Sequence, residues 1–429
     1  MLAICKRPEN VWQYGIISGN YWAFTLTDGA LRMLVLLHFY ERGFSPVALA
    51  TLFVFYELTG IITNLAGGWI GARWGLNKTM NSGLLLQIIA LSLLLVPDSL
   101  LSIPWIMTAQ ALSGIAKDLN KMSAKSSLKI LIPITASSDA ETNSICPSKI
   151  HTSKTKSPKA NSQTTLYRWV TLLTGSKNAL KGIGFFLGGT LLSLLGFQGA
   201  ILVMLIALLG VLILSLVFLK KDLGKTSFKP KFSDSFSKNP AVNYLSAARL
   251  FLFAARDVWF VVALPVYLAT TLTWSHSAVG TFLALWIIGY GLVQTCAPTI
   301  THALSGQSPT GKHAQFWSLP LLAITIAIAL SLSYAWHKEF ILLLGLFIFG
   351  MFFAINSSIH SYLIVTYARR DGASLDVGFY YMANAMGRLT GTLLSGWIFQ
   401  QYGLAMCLWI AAGFIALSAL ISTGLHNSS

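Results

Sequence analysis

Fourteen ionisable residues fall inside long apolar stretches of this chain: Asp28, Arg32, Glu57, Lys117, Asp118, Lys121, Lys125, Lys177, Lys181, Arg249, Arg256, Asp257, Asp376 and Arg388. A charge in such surroundings is costly and by default marks a pathway or a buried partner. Nine of the fourteen are basic and five acidic, so complete pairing still leaves a positive surplus. That surplus points to a substrate carrying several negative charges. Arginine suits phosphate-like and arsenate-like oxyanions because its planar fork meets two oxygens at once, whereas lysine adds a point charge.

Depth and spacing sort these residues. At 1.5 Å per helical residue, Lys181 and Arg388 each lie about 22 Å from Gly196 and Gly403, which mark the outer ends of their helices. They are expected to face each other slightly inside the midplane. Arg256 lies similarly deep and Arg32 nearer the outer side, and these four read as substrate-binding cations. The competing reading is an internal ion pair: Asp28 with Arg32 at i,i+4, or Asp257 with a neighbouring helix. Lys117, Lys121 and Lys125 share one helix face. Lys117 is deep enough to join the binding set, whereas Lys121 and Lys125 are placed either to snorkel or to line a funnel. Lys177, one turn before Lys181, extends the ladder. Asn356, in the polar stretch NSSIHSY at 356–362, and Asn384 either hydrogen-bond the substrate or tie helices together. Asp28, Glu57 and Asp257 are candidates for proton coupling or ion pairing, with His360 a weaker one. No metal set, cofactor motif or catalytic constellation appears: the eight histidines lie apart, and Cys5, Cys146, Cys296 and Cys407 are scattered singly. The chain does not read as an enzyme.

These side chains need a membrane bundle to hold them. The chain has 429 residues, 55% hydrophobic and only 10% charged, with a mean hydropathy of +0.66; a soluble domain carries about 25% charged residues. A cytosolic enzyme, a secreted disulfide scaffold and a disordered protein are excluded. A spanning helix needs about 20 apolar residues, and twelve stretches qualify, at approximately 12–39, 46–71, 80–96, 102–124, 166–195, 198–219, 242–270, 277–300, 314–335, 340–367, 375–401 and 404–424. The first holds Asn20, Asp28 and Arg32, which a cleaved signal peptide would not. Lys and Arg crowd one set of loops, and only Arg42 and Lys338 fall in the other, which predicts both termini in the cytoplasm. Most of the net charge of +16 is then topology signal, and nucleic acid is not an expected partner.

The expected organisation is an N-terminal arm at 1–11, a six-helix half at 12–219, a basic cytoplasmic linker at 220–240 and a second six-helix half at 241–429. Within the first half, 134–164 is rich in Ser, Thr, Lys and Pro without apolar periodicity and reads as a disordered insertion. A shift of 207 residues lays Lys181 on Arg388, Gly184 on Gly391, Gly189 on Gly396 and Gly196 on Gly403. At a shift of 228 residues Asp28 falls one position off Asp257. Two related halves of this kind predict an all-α membrane protein with the major facilitator architecture. GGWIGARWGLNK at 67–78 resembles the loop motif of that superfamily, with Ala72 where its acidic residue is usual and Lys78 alone where a basic pair is usual.

Several long strings carry a narrower resemblance: NYWAFTLTDGALRMLV (20–35), AQALSGIAKDLNKMSAKS (109–126), LTGSKNALKGIGFFLGG (173–189), SAARLFLFAARDVWFVVALPVYL (246–268) and SLDVGFYYMANAMGRLTGTLLSGW (374–397). They resemble ArsJ, a family of organoarsenical efflux permeases within the major facilitator superfamily, over nearly all of 12–425. The resemblance implies export of 1-arseno-3-phosphoglycerate, the acyl arsenate formed when glyceraldehyde-3-phosphate dehydrogenase uses arsenate in place of phosphate. Hydrolysis outside would release arsenate there, giving arsenate resistance. It implies further a multi-pass protein of a bacterial inner membrane, acting as a monomer, with the dehydrogenase as functional partner and direct contact left open. Charge pattern alone supports an organophosphate/phosphate exchanger equally well.

Overall fold

The computed structural model describes residues 8–42, 46–97, 100–131, 158–219, 223–226, 230–274, 276–334 and 338–427. The elements are α1 (Pro8–Glu41), α2 (Pro46–Trp74), α3 (Leu76–Leu93), α4 (Ile103–Leu131), α5 (Pro158–Phe218), α6 (Pro240–Phe260), α7 (Ala263–Thr270), α8 (His276–Ser305), α9 (Gly311–Ser333), α10 (Lys338–Tyr367) and α11 (Ala373–Ser422), with short 3-10 turns. Helix is the form in which an apolar segment satisfies its own amides without water. Among the described residues, six helical stretches are long and apolar enough to cross a membrane. Side chains such as Leu194, Val217, Phe347 and Leu393 lie exposed on the outside of the bundle, where lipid rather than water is the compatible solvent. This is a multi-pass integral membrane protein.

Two elements are hairpins. α5 reverses at Gly196 (φ 67°, ψ −178°) and α11 at Gly403 (φ 76°, ψ −177°), a left-handed region in which an L side chain is strained. Before its bend α5 runs alongside α1: Tyr14 meets Trp169, Trp22 donates to Ser176, and Gly29 packs on Gly184. After the bend it runs back, with Phe197 stacked on His38, Asn20 donating to Ser215 and Gln13 donating to the Phe218 carbonyl. α11 repeats this around α6. Gly387 and Gly391 abut the carbonyls of Leu250 and Ala254 before the bend, and Ser418 donates to the Ala248 carbonyl after it. Gly184 abuts the Leu26 carbonyl as Gly391 abuts that of Ala254. That register lays Gly29 on Asp257 and leaves Asp28 one position short, as the sequence comparison indicates.

Some expectations are revised. The stretch expected as one helix at 242–270 is α6 and α7, broken at Val261 and Val262, where Ser395 Oγ accepts from the amides of Val262 (3.3 Å) and Ala263 (3.1 Å). α5 starts at Pro158, so it includes the last residues of the expected disordered insertion; residues 132–157 and 1–7 lie outside the described residues. The described parts of the linker dock on the helix ends. Leu223 accepts from the Leu76 amide, Thr226 donates to the Ala72 carbonyl, and Trp69 Nε1 donates to the Pro230 carbonyl. We call this side of the bundle the linker end.

Three apolar clusters show how α1–α5 meet α6–α11. One, at the linker end, draws on both sets: Tyr21, Met122, Leu128 and Tyr167 with Trp317, Ile359, Tyr362 and Tyr380. The other two, toward the far end, are each confined to one set, Phe24, Leu34, Leu91 and Met204 in the first and Trp259, Phe349, Leu404 and Leu408 in the second. Bridging contacts follow the same division. Lys129 donates to the Thr366 carbonyl (2.8 Å), Tyr167 packs on Tyr362, and Gly68 is so close to Ser374 that a Cβ would stand 2.5 Å from its carbonyl oxygen. Gly67, Gly68 and Gly71 thus serve close helix contact. Asp376 turns to its own set, accepting from Ser237, the Arg369 amide and the Arg369 guanidinium. The sets are packed together at the linker end and separate toward the far end.

Candidate functional site

The ionisable ladder of α4 and the pseudo-equivalent positions of α5 and α11 face a common space between the two sets. Tyr56 of α2 organises one wall. Its hydroxyl donates to Asp28 Oδ1 at 2.7 Å, and its ring has the Arg32 guanidinium at 4.0 Å and the Lys117 ammonium at 3.7 Å from its centroid. A tyrosine face attracts cations through the ring quadrupole, so one side chain fixes two cations and a carboxylate from three helices. Asp28 and Arg32 are therefore linked through Tyr56. Glu57, the next residue, has a side chain outside the described residues.

On the opposite wall Asp257 is buried between two arginines. Arg256 reaches Oδ1 at 2.6 Å and Arg388 reaches Oδ2 at 3.3 Å. Here the ion-pair reading of Arg256 and Arg388 is realised, with one carboxylate serving two guanidinium groups. The Arg256 and Arg388 side chains stay 17% and 29% exposed, which deep inside a bundle requires open space beside them. Lys181 and Lys177 are half-buried on the facing helix. Lys181 feels the charges of Arg32, Asp28, Arg388 and Lys117, and Lys177 those of Lys121, Lys117, Arg388 and Asp28. Lys181 and Arg388 are thus brought to one space from the two sets.

Toward the linker end the space narrows. Lys121 pairs with Asp118 at 2.7 Å and lies over the Tyr381 ring, and its side chain is 11% exposed. Lys125 is 2% exposed and donates to Thr174 Oγ1. Exposure therefore grows from Lys125 toward Arg388, so the space opens to the far end. Arg249, which the sequence shows only as one intramembrane charge among many, is buried here. It donates to Asn384 Oδ1 (2.9 Å) and to the carbonyl and hydroxyl of Ser357 (3.1 and 3.0 Å). Gln294 bridges the sets, accepting from Asn178 at 2.6 Å and donating to Tyr290 at 2.8 Å.

The predicted residues thus divide. Arg32, Lys117, Lys177, Lys181, Arg256 and Arg388 converge with Asp28 and Asp257, and Asn384 joins them through Arg249. Asn356 does not: its amide donates to Ser318 on α9 at 2.8 Å, the helix-tying role. Ser357 comes from the polar stretch at 356–362, whereas Tyr56, Asn178, Gln294 and Tyr290 were not legible as site residues. Neutral side chains in membrane helices carry no distinguishing signal until the facing partner is known.

The chain is similar in structure to solved transporters along almost its whole length. A human organic anion transporter superposes with a TM-score of 0.72 at 14% identity, covering 97% of this chain and 99% of that one. The E. coli fucose:proton symporter gives 0.71 at 10% identity, covering 98% and 99%. A bacterial homologue of the iron transporter ferroportin, solved in an outward-facing state, gives 0.68 at 14% identity, covering 96% and 99%. The fold is that of the major facilitator superfamily. No protein-family model and no curated protein sequence matches the chain.

Proposed function

We propose that this major facilitator protein exports a small, multiply charged oxyanion, 1-arseno-3-phosphoglycerate, from the cytoplasm. The observation that carries the reading is the convergence of nine cationic side chains with only three described carboxylates, Asp28, Asp118 and Asp257, around one space. An excess of this size is tolerable only if an anion visits the site. A molecule with an arsenate at one end and a phosphate at the other suits two clusters, Lys181 with Arg388 and Arg256 with Arg32. The likeness of the long helix strings to ArsJ supplies the chemical identity.

In this reading the chain makes twelve spans in two six-helix halves, 12–219 and 241–429, joined by the linker at 220–240. The linker end and both termini face the cytoplasm of a bacterial inner membrane, and the far end faces outward. Proton coupling is assigned to Asp28 and Asp257, because Asp257 serves two guanidinium groups and Asp28 holds the hydroxyl of the Tyr56 ring on which Arg32 and Lys117 rest, and a bound anion would compete for these cations. Glyceraldehyde-3-phosphate dehydrogenase makes the substrate and is the functional partner. The transporter works as a monomer, and the result is arsenate resistance.

The test is uptake of labelled arsenate by inside-out vesicles, with and without dehydrogenase, glyceraldehyde-3-phosphate and oxidised nicotinamide cofactor. Uptake only with the complete mixture is expected, and Arg388→Ala and Lys181→Ala should abolish it. Equal uptake of free arsenate or phosphate without the enzyme would overturn the assignment in favour of an organophosphate/phosphate exchanger.

A further inference from the structure

Three cations at the narrow end of the central space form no ion pair among the described residues. Lys125 of α4 is buried, and its ammonium donates to the neutral hydroxyl of Thr174. Arg249 of α6 is 3% exposed, and among the described residues it donates to neutral acceptors, Asn384 Oδ1 and the Ser357 carbonyl and hydroxyl. Lys177 of α5 forms no ion pair among the described residues. The three belong together: Lys125 donates to Thr174, three residues before Lys177 on α5, and Arg249 shares the Ser357 hydroxyl with Gln294, which accepts from Asn178, the residue after Lys177. Lys121 is already held by Asp118.

This arrangement differs from the two clusters above it. Arg256 and Arg388 share Asp257, and Arg32 and Lys117 share the Tyr56 ring next to Asp28. Each of those has an acidic or aromatic counterweight. At the narrow end the charges come from both helix sets, Lys125 and Lys177 from one and Arg249 from the other, immediately above the apolar cluster that joins the sets. Like charges desolvated across a closing seam oppose closure unless something negative stands between them. A neutral donor lies close by as well. His360 is buried with both ring nitrogens lacking a hydrogen-bond partner among the described residues, and buried polar groups are ordinarily satisfied.

We propose that Lys125, Lys177 and Arg249 form a distinct subsite for one tetrahedral oxyanion, an arsenate or phosphate group, which bridges the two helix sets at the linker end. The subsite deepens the transport reading and rests on it for the identity of the substrate. It redraws the division of the substrate given above: one oxyanion group sits at the narrow end, and Lys181, Arg388, Arg256 and Arg32 together hold the other. Lys125 and Arg249 become specificity residues. A monoanionic or neutral solute leaves the seam charged and does not support closure.

The experiment uses the full-length protein in detergent, with inorganic phosphate and, separately, arsenate as probes, and follows thermal unfolding as the anion is titrated. Wild type is expected to be stabilised progressively by either anion. Lys125→Gln and Lys177→Gln should each need roughly ten- to hundredfold more anion for the same shift, the range for losing a charge-assisted hydrogen bond. Lys312→Gln, on the exposed start of α9, should titrate like wild type. Lys125→Gln removes a buried charge, so it is expected to fold, and a monodisperse gel-filtration profile checks that. Phosphate stabilising Lys125→Gln and Lys177→Gln at wild-type concentrations would overturn the subsite, as would a wild type that neither anion stabilises. The outcomes separate from those of the vesicle assay: lysine-dependent anion binding without uptake of the arseno-compound would retain the subsite and reject the substrate.

Discussion

At the scale of single residues, charge neutralisation decides what each side chain can do. Asp257 contacts both Arg256 and Arg388, so Asp257→Asn removes the one negative charge that these two contacts share. Breaking a buried pair by removing one partner costs about 3–5 kcal/mol. A correspondingly lower unfolding temperature in detergent is expected, and the double variant Asp257→Asn/Arg256→Gln should recover more than half of the loss. An unchanged unfolding temperature in the single variant would contradict the pairing. Tyr56→Phe is gentler: the ring and its two cation contacts stay, and only the donor to Asp28 goes. We expect a stability loss of about 1–2 kcal/mol together with a transport rate that falls while the protein remains monodisperse. A transport rate equal to wild type would show that Asp28 does not need this bond.

At the scale of elements, glycine spacing sets how closely the helices approach and where they turn back. A Cβ at Gly184 would stand 2.5 Å from the Leu26 carbonyl, and one at Gly391 would stand 2.7 Å from that of Ala254. Gly184→Val and Gly391→Val should therefore push α5 off α1 and α11 off α6, and yield little folded protein on gel filtration. Gly196→Ala meets open space at a positive φ, so only backbone strain of roughly 1–3 kcal/mol is expected, with the fold retained. If the three behave alike, close packing is not what distinguishes them. These glycines were readable in the sequence because two copies of the pattern recur 207 residues apart. The break between α6 and α7 was not readable. It depends on Ser395, over a hundred residues away, catching the amides that the break releases.

At the scale of the whole molecule, the shared apolar cluster and the two separate ones describe a bundle closed at the linker end. Access to the central space should then be one-sided. Carrying Arg388→Cys in a background without native cysteines, the protein should react with a membrane-impermeant maleimide from the far side, whereas Lys125→Cys should stay unmodified. Gly68→Leu drives a side chain into the Ser374 carbonyl that lies across the seam, and in that background Lys125→Cys should become reactive from the linker side. Labelling of Lys125→Cys from the far side in the unaltered background would place the seam elsewhere. The same experiment reports which end faces the cytoplasm.

Composition and periodicity were enough to make this an all-helical membrane protein with two hairpins at Gly196 and Gly403, because the hydrocarbon environment allows few other structures and acts on each segment locally. The positive surplus was legible too, since it is a count of residue types. Which cations share a carboxylate, which rest on Tyr56, and which three are left facing each other at Lys125, Lys177 and Arg249 depended on the tertiary structure. Those relations join α1, α2, α4, α5, α6 and α11, and electrostatic energy is set by separation and burial, which spacing along a single chain does not fix.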